Sequence, residues 1–183
     1  MKDLFCQYLI DLYRGVPQYV YEGLLSMFCI GAVVLFATKG FERAWRTVAG
    51  LLLLEYLIML YCSMVLFRPL GESPKCNFHS FWSYSAIMSG RVELIPENVM
   101  NVLAFIIVGA LLVCACRSLT LWKVTLIGGG MSLTIETSQF IFNRGIAEVD
   151  DVMHNTVGCL IGYGLYKAVA YSVKQLLRIN TEE

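Results

Sequence analysis

Residues 135–155, "IETSQFIFNRGIAEVDDVMHN", hold Glu136, Gln139, Arg144, Glu148, Asp150, Asp151, His154 and Asn155 in a chain that is otherwise strongly apolar. Three carboxyl groups, Glu136, Asp150 and Asp151, are the candidates for acid or base work or for holding a divalent metal ion. His154 follows Asp150 and Asp151 by one helical turn, a spacing open to metal ligands, but a lone D-D-x-x-H is a weak signal and His154 reads more simply as a member of a hydrogen-bond network. "CNFH" offers Cys76 and His79 with no second pair to complete a zinc site. Acidic residues at a helix N-terminus also cap exposed N–H groups and meet the macrodipole, which accounts for one of Asp150 and Asp151 without any chemistry. The plainer account of the whole stretch is an Arg–carboxylate–amide network that locks helices together.

The elements that carry these residues follow from composition. The chain has 183 residues, 57% of them hydrophobic and 15% charged. Soluble domains carry about 25% charged residues, so this one departs toward the membrane. Fourteen basic and fourteen acidic side chains give no net charge and no basic face for nucleic acid. Apolar runs of about 20 residues suffice to cross a hydrocarbon core, and about five are present: 18–38, 47–67, 99–116, 122–142 and 152–173. Residues 3–14 precede them, with Leu4, Phe5, Tyr8, Leu9, Leu12 and Tyr13 at helical spacing, as in an amphipathic helix at a membrane surface. The expected fold is therefore all-α: a polytopic bundle of about five transmembrane helices with an N-terminal interfacial helix.

Lys39, Arg43, Arg46, Arg117, Lys123, Lys167, Lys174 and Arg178 fall on one side of such a bundle, against Lys2, Arg14, Arg68, Lys75, Arg91 and Arg144 on the other. The positive-inside rule then puts the N-terminus outside and the C-terminus in the cytoplasm. Segment 68–98 lies at the outer face, too rich in Phe78, Phe81, Trp82, Tyr84, Ile87 and Met88 for a solvated linker and broken by Pro69, Pro74 and Pro96. It is expected to form a re-entrant or interfacial lid. The organisation is an interfacial segment 1–17, helices 1 and 2 over 18–67, a core of lid and helices 3 to 5 over 68–173, and a cytoplasmic tail 174–183.

Five crossings bring the polar groups to one end. Helix 3 starts there with Asn98 and Asn101, helix 4 ends there with Ser132, Glu136 and Gln139, and helix 5 leaves with Asp151 and Asn155. Glu136 stands about six residues inside its helix end, or about 9 Å at 1.5 Å per residue. A carboxylate at that depth needs a partner, and Arg144 or the asparagines are expected to supply it. Gly158 and Gly162 form a small-xxx-small seam, and Gly128, Gly129 and Gly130 let another helix approach. Glu55 lies deeper still, with no partner visible in sequence and a proton-relay role conceivable. Seven cysteines form no disulfide framework; only Cys6 and Cys76 lie outside the apolar runs, and a bridge between them stays open.

"SLTIETSQFIFNRGIAEVDDVMHNTVGCLIGY" (132–163) resembles the signature of VanZ-like membrane proteins: Ser-x-x-Ile-Glu-x-x-Gln, an Arg in the turn, Asp-Asp, Asn-Thr-x-Gly and Gly-Tyr. "ENVMNVLAFIIVGALL" (97–112) resembles the family's Asn-x-x-x-Phe-x-x-x-Gly helix, "NFHSF" (77–81) its Asn-x-x-Pro-Phe segment, and Arg68 the arginine closing the preceding helix. Ser80 and Ile107 stand where the family has prolines, and His154 where an aliphatic residue is usual, so His154 is not expected as a shared ligand. The resemblance carries over Arg68, Asn77, Asn101, Glu136, Gln139, Arg144, Asp150, Asp151 and Asn155 as the family's polar positions. It implies a bacterial cytoplasmic-membrane protein tied to resistance to teicoplanin, a glycopeptide with an acyl tail that acts at the outer leaflet.

The expected function is binding of a lipid-linked or acyl-tailed molecule, such as a cell-envelope precursor or a lipoglycopeptide, among membrane lipids. Arg68, Asn77, Asn101, Glu136, Gln139, Arg144, Asp151 and Asn155 would line the pocket. Arg68 and Arg144 would meet an anionic group, and Glu136 with Asp151 would set its orientation. The rival is a membrane-embedded enzyme using Glu136, Asp150 and Asp151 as acid, base or ligands of a divalent metal ion, without an obvious nucleophile–base pair. A transporter would need an internal repeat that five helices do not display, or an oligomer.

Overall fold

The computed structural model describes residues 2–39 and 41–179. Seven α-helices run along the described residues: α1 (Lys2–Gly15), α2 (Gln18–Lys39), α3 (Phe41–Tyr61), α4 (Trp82–Met88), α5 (Leu94–Ala115), α6 (Leu121–Phe142) and α7 (Val149–Ile179). A π-helical turn, Cys62–Leu66, prolongs α3. Residues 180–183 of the expected tail, and the side chains of Leu12, Tyr13, Lys39, Arg43 and Arg178, lie outside what is described.

Among the described residues three stretches are long and apolar enough to cross a membrane: Gln18–Thr38, Ala44–Leu66 and Leu94–Ala115. The third begins five residues earlier than its apolar run, because Pro96 sits in the first turn, where a missing N–H costs nothing. Helices α6 and α7 occupy the fourth and fifth apolar runs, but glycines and carboxyl groups dilute their apolarity. Their outward surfaces are nonetheless hydrocarbon: Leu126, Leu133, Phe140 and Ile141 on α6, and Val157, Ile161, Leu165 and Val169 on α7 are all exposed. On α2 the exposed set includes Leu25, Met27, Ile30, Val33 and Val34. Such a surface in water would be a very large apolar patch, whereas lipid tails solvate it well.

The seam between α5 and α7 is the tightest in the molecule. A Cβ on Gly109 would collide with the Cys159 carbonyl, one on Gly158 with the Val102 carbonyl, and one on Gly162 with the Ile106 carbonyl. Backbone therefore meets backbone, the contact by which membrane helices associate when burial from water no longer drives them. Gly128 makes the same room for the Cys159 side chain, while Gly130 faces open space, so the triple glycine serves packing through only part of its length. Phe105, Val108, Val113 and Val124, all fully buried, fill the core between α3, α5, α6 and α7.

Two short strands, β1 (Lys75–Asn77) and β2 (Ile146–Glu148), pair in parallel with Cys76 opposite Ala147, a small departure from the all-α expectation. Segment 68–98, expected to be broken by its prolines, holds several elements. It divides into β1, the seven-residue α4 and the first turn of α5. Phe78, Phe81, Tyr84 and Met88 remain exposed along it, as an interfacial segment requires. Cys6 and Cys76 are both free thiols. Glu55 is buried on α3, and its Oε1 meets no hydrogen-bond donor among the described residues.

Candidate functional site

The polar residues gather where α3 ends, α5 begins, α6 ends and α7 begins. Asn143 closes α6 in the left-handed region (φ 54°), an asparagine's permitted excursion at a helix C-terminus. The Arg144 N–H then returns to the Gln139 carbonyl at 2.8 Å, and the chain enters β2 through Gly145 (φ 141°). Gly145 is required twice over, since a side chain there would also press on the Arg68 guanidinium.

A cavity of about 210 Å³ lies within this junction. Arg68, Asn101, Glu136, Gln139 and Asp151 stand in its wall as the sequence leads one to expect, together with Tyr8, Asp11 and Glu97, which it does not. Arg68 reaches Glu97 at 3.5 Å. Glu136 accepts the Glu148 N–H at 2.9 Å, and Gln139 donates to the Met64 carbonyl at 3.1 Å, one of the carbonyls within the π-helical turn. Tyr8 brings α1 over the cavity, so the N-terminal helix is part of the site's enclosure as well as a surface element. Its half-buried phenol has its pKa pushed up to about 12, by burial first and by the Glu97 carboxylate second.

Three expected wall residues take other posts. Arg144 does not meet Glu136. Its Nη1 donates to the carbonyls of Leu66 and Arg68, both at 2.7 Å, satisfying backbone acceptors where the α3 chain unwinds. Asn155 donates to Ser132 Oγ at 2.8 Å, deeper between α6 and α7. Asn77 accepts the His79 N–H at 3.1 Å and shapes the turn after β1. Asn98, one residue beyond Glu97, turns to Ser83 Oγ at 3.1 Å, which leaves Asn101 as the α5 amide on the cavity.

The acidic pair divides. Asp150 accepts the N–H groups of Phe81 and Ser83 and the Ser83 hydroxyl (2.7 Å), so it caps the N-terminus of α4 from another helix. Phe81 sits in the left-handed region (φ 62°), a strained place for a phenylalanine that this clamp holds. Asp151 opens on the cavity, 4.0 Å from His154 Nδ1, while His154 Nε2 lies 2.8 Å from the Tyr84 hydroxyl. With Asp150 so committed, the three carboxyl groups do not form one donor set. Among the described residues no three His, Cys, Asp or Glu side chains are placed to hold a metal ion.

A second hollow, an apolar groove of about 300 Å³, runs along the outside of the same wall between Phe78, Leu133, Phe140 and Val152. Glu136 and Glu148 stand at its floor, so Glu136 borders both hollows. Glu148 accepts the Trp82 indole N–H at 2.7 Å. Burial, and then the nearby Asp151, push its pKa up to about 7.

The model for VanZ/LLP1 matches residues 24–171. The chain belongs to the VanZ/LLP1 family. Neither the curated proteins nor the solved structures compared with it include a match. Membership and the three apolar helices together make it a VanZ-like membrane protein.

Proposed function

We propose that this VanZ-like protein lowers susceptibility to the glycopeptide teicoplanin by binding an acyl-tailed or lipid-linked molecule at the outer leaflet of a bacterial cytoplasmic membrane. The observation that carries the reading is Glu136, whose side chain borders a polar cavity on one side and an apolar groove on the other. A molecule with a compact polar end and a hydrocarbon tail matches that pairing better than a wholly polar solute does.

In this reading α2, α3, α5, α6 and α7 all cross, and the exposed hydrocarbon of α6 and α7 supports counting them. The charge distribution supports the orientation. Arg46 and Arg117 both lie over the Trp45 ring, at 5.9 and 5.1 Å, so the basic ends of α3 and α5 meet far along the bundle from the cavity. That end is cytoplasmic by the positive-inside rule, and the cavity faces out. Asp151, Asn101, Gln139 and Arg68 position the polar end of the ligand, while Asp150, Arg144 and Asn155 hold the framework.

Growth inhibition by teicoplanin and by vancomycin tests the proposal, in a susceptible Gram-positive host carrying the wild type, Glu136→Gln or no copy, at matched membrane levels. Protection against teicoplanin that the variant lacks supports it. Equal protection by wild type and variant, or none from either, removes it.

A further inference from the structure

The charge of the cavity wall restricts the ligand more than its shape does. Four carboxyl groups line it, from Asp11, Glu97, Glu136 and Asp151, against the single guanidinium of Arg68. Arg68 lies 3.5 Å from Glu97, and Arg144, the other nearby cation, is turned onto the carbonyls of Leu66 and Arg68. Glu136 receives one backbone N–H, and Asp11 the amide of its helical neighbour Gln7. Among the described residues that line the cavity, Arg68 is the one cation against four carboxyl groups.

A second observation points the same way. Gln139 is 2% exposed, and its Nε2 is taken by the Met64 carbonyl. Its Oε1 is a buried acceptor with no donor among the described residues, on a side chain that lines this same cavity. A buried polar atom without a partner costs about 1–3 kcal/mol, so a site that leaves one beside a cavity is suited to a ligand that donates. At about 30 Å³ per water, the 210 Å³ hollow has room for a small head group and little more.

We infer that the cavity receives a primary ammonium group, carried on the polar end of the acyl-tailed or lipid-linked ligand. This rests on the binding reading above and narrows it, replacing the anionic head group that Arg68 and Arg144 led us to expect. The ammonium places its positive charge among Glu136, Asp151 and Glu97 and gives one N–H to Gln139 Oε1. Tyr8 also lines the hollow, from α1. A phosphate in the same place would meet the same carboxyl groups and find Arg68 already engaged with Glu97.

The test uses the full chain in a neutral maltoside detergent with two probes of equal tail length, dodecylammonium and dodecyl phosphate, and reads affinity from ligand-dependent thermal shifts. Dodecylammonium is expected to bind at least tenfold more tightly than dodecyl phosphate. Glu97→Gln and Asp151→Asn should each reduce that preference several-fold, and Glu97→Gln serves should Asp151→Asn fold poorly. Equal or tighter binding of the phosphate overturns the ammonium assignment and leaves the acyl-ligand reading standing. If neither probe binds the folded protein, both fall together. A preference unchanged in both variants places the cation elsewhere and overturns the assignment.

Discussion

Asp150 holds Ser83 twice, through its backbone N–H at 3.0 Å and its hydroxyl at 2.7 Å, across 67 residues of sequence. That bond fixes α4 against the start of α7 and leaves the neighbouring Asp151 alone on the cavity.

Removing the clamp should therefore act on stability. Asp150→Ala abandons two backbone donors and a hydroxyl at once, a loss of about 3 kcal/mol or more. Ser83→Ala removes the hydroxyl that donates to Asp150 and accepts from Asn98, and costs about 1–2 kcal/mol. Melting of both variants and of the double variant in detergent checks this. The double variant should be little worse than Asp150→Ala, because the partners share one network.

The α5–α7 seam should tolerate no methyl group. Gly162→Ala drives a Cβ into the Ile106 carbonyl and is expected to cost about 1–3 kcal/mol as the helices separate. Gly130→Ala meets no atom within 4 Å and should be neutral or slightly stabilising, since alanine suits a helix better than glycine. Comparing their melting temperatures separates packing from helix propensity.

Glu148 gives the fold a pH dependence. Its pKa is raised from 4.5 to about 7 in the folded chain, so the protonated form is favoured by folding. Its contribution is complete below the unfolded value and is lost as pH rises through about 7. Melting between pH 5 and 8.5 should show stability falling toward the alkaline end, with a shallower fall in Glu148→Gln. Equal slopes for the two proteins would remove Glu148 as the source.

Arg144 should behave as a framework residue. Arg144→Gln frees the carbonyls of Leu66 and Arg68 and is expected to lower the melting temperature by several degrees while leaving ligand affinity within a few-fold once folded. Thermal melts and probe binding on the same preparation give both values.

The sequence made much of this legible. Long apolar runs located the helices, and carboxyl groups too deep to be free in lipid located the site around Glu136. Small residues at Gly158 and Gly162 marked the seam. Direction was harder to read. Asn98 and Glu97 are adjacent on α5, yet one meets Ser83 and the other the cavity, and only helix rotation decides which. Arg144 is one residue past a left-handed Asn143, a turn that swings it away from Glu136. Glu97 lay in the segment before the third apolar run and was not singled out, and Tyr8 looked like part of a surface stripe. Their common cavity depends on how α1 and α5 dock, which local pattern does not encode. The β1–β2 pair was invisible for the same reason, since its two strands are three residues each and lie about 70 residues apart.

The central claim is that Glu136 stands in a binding site for an acyl-tailed molecule. Its most direct test is teicoplanin binding by the purified chain in nanodiscs, wild type against Glu136→Gln, with vancomycin as the comparison lacking the tail. The wild type is expected to show a saturable, dose-dependent thermal shift with teicoplanin. Affinity is expected to be at least tenfold weaker in a variant that melts normally, with no shift for vancomycin. Equal affinity for wild type and Glu136→Gln, or equal response to the two drugs, would contradict the claim.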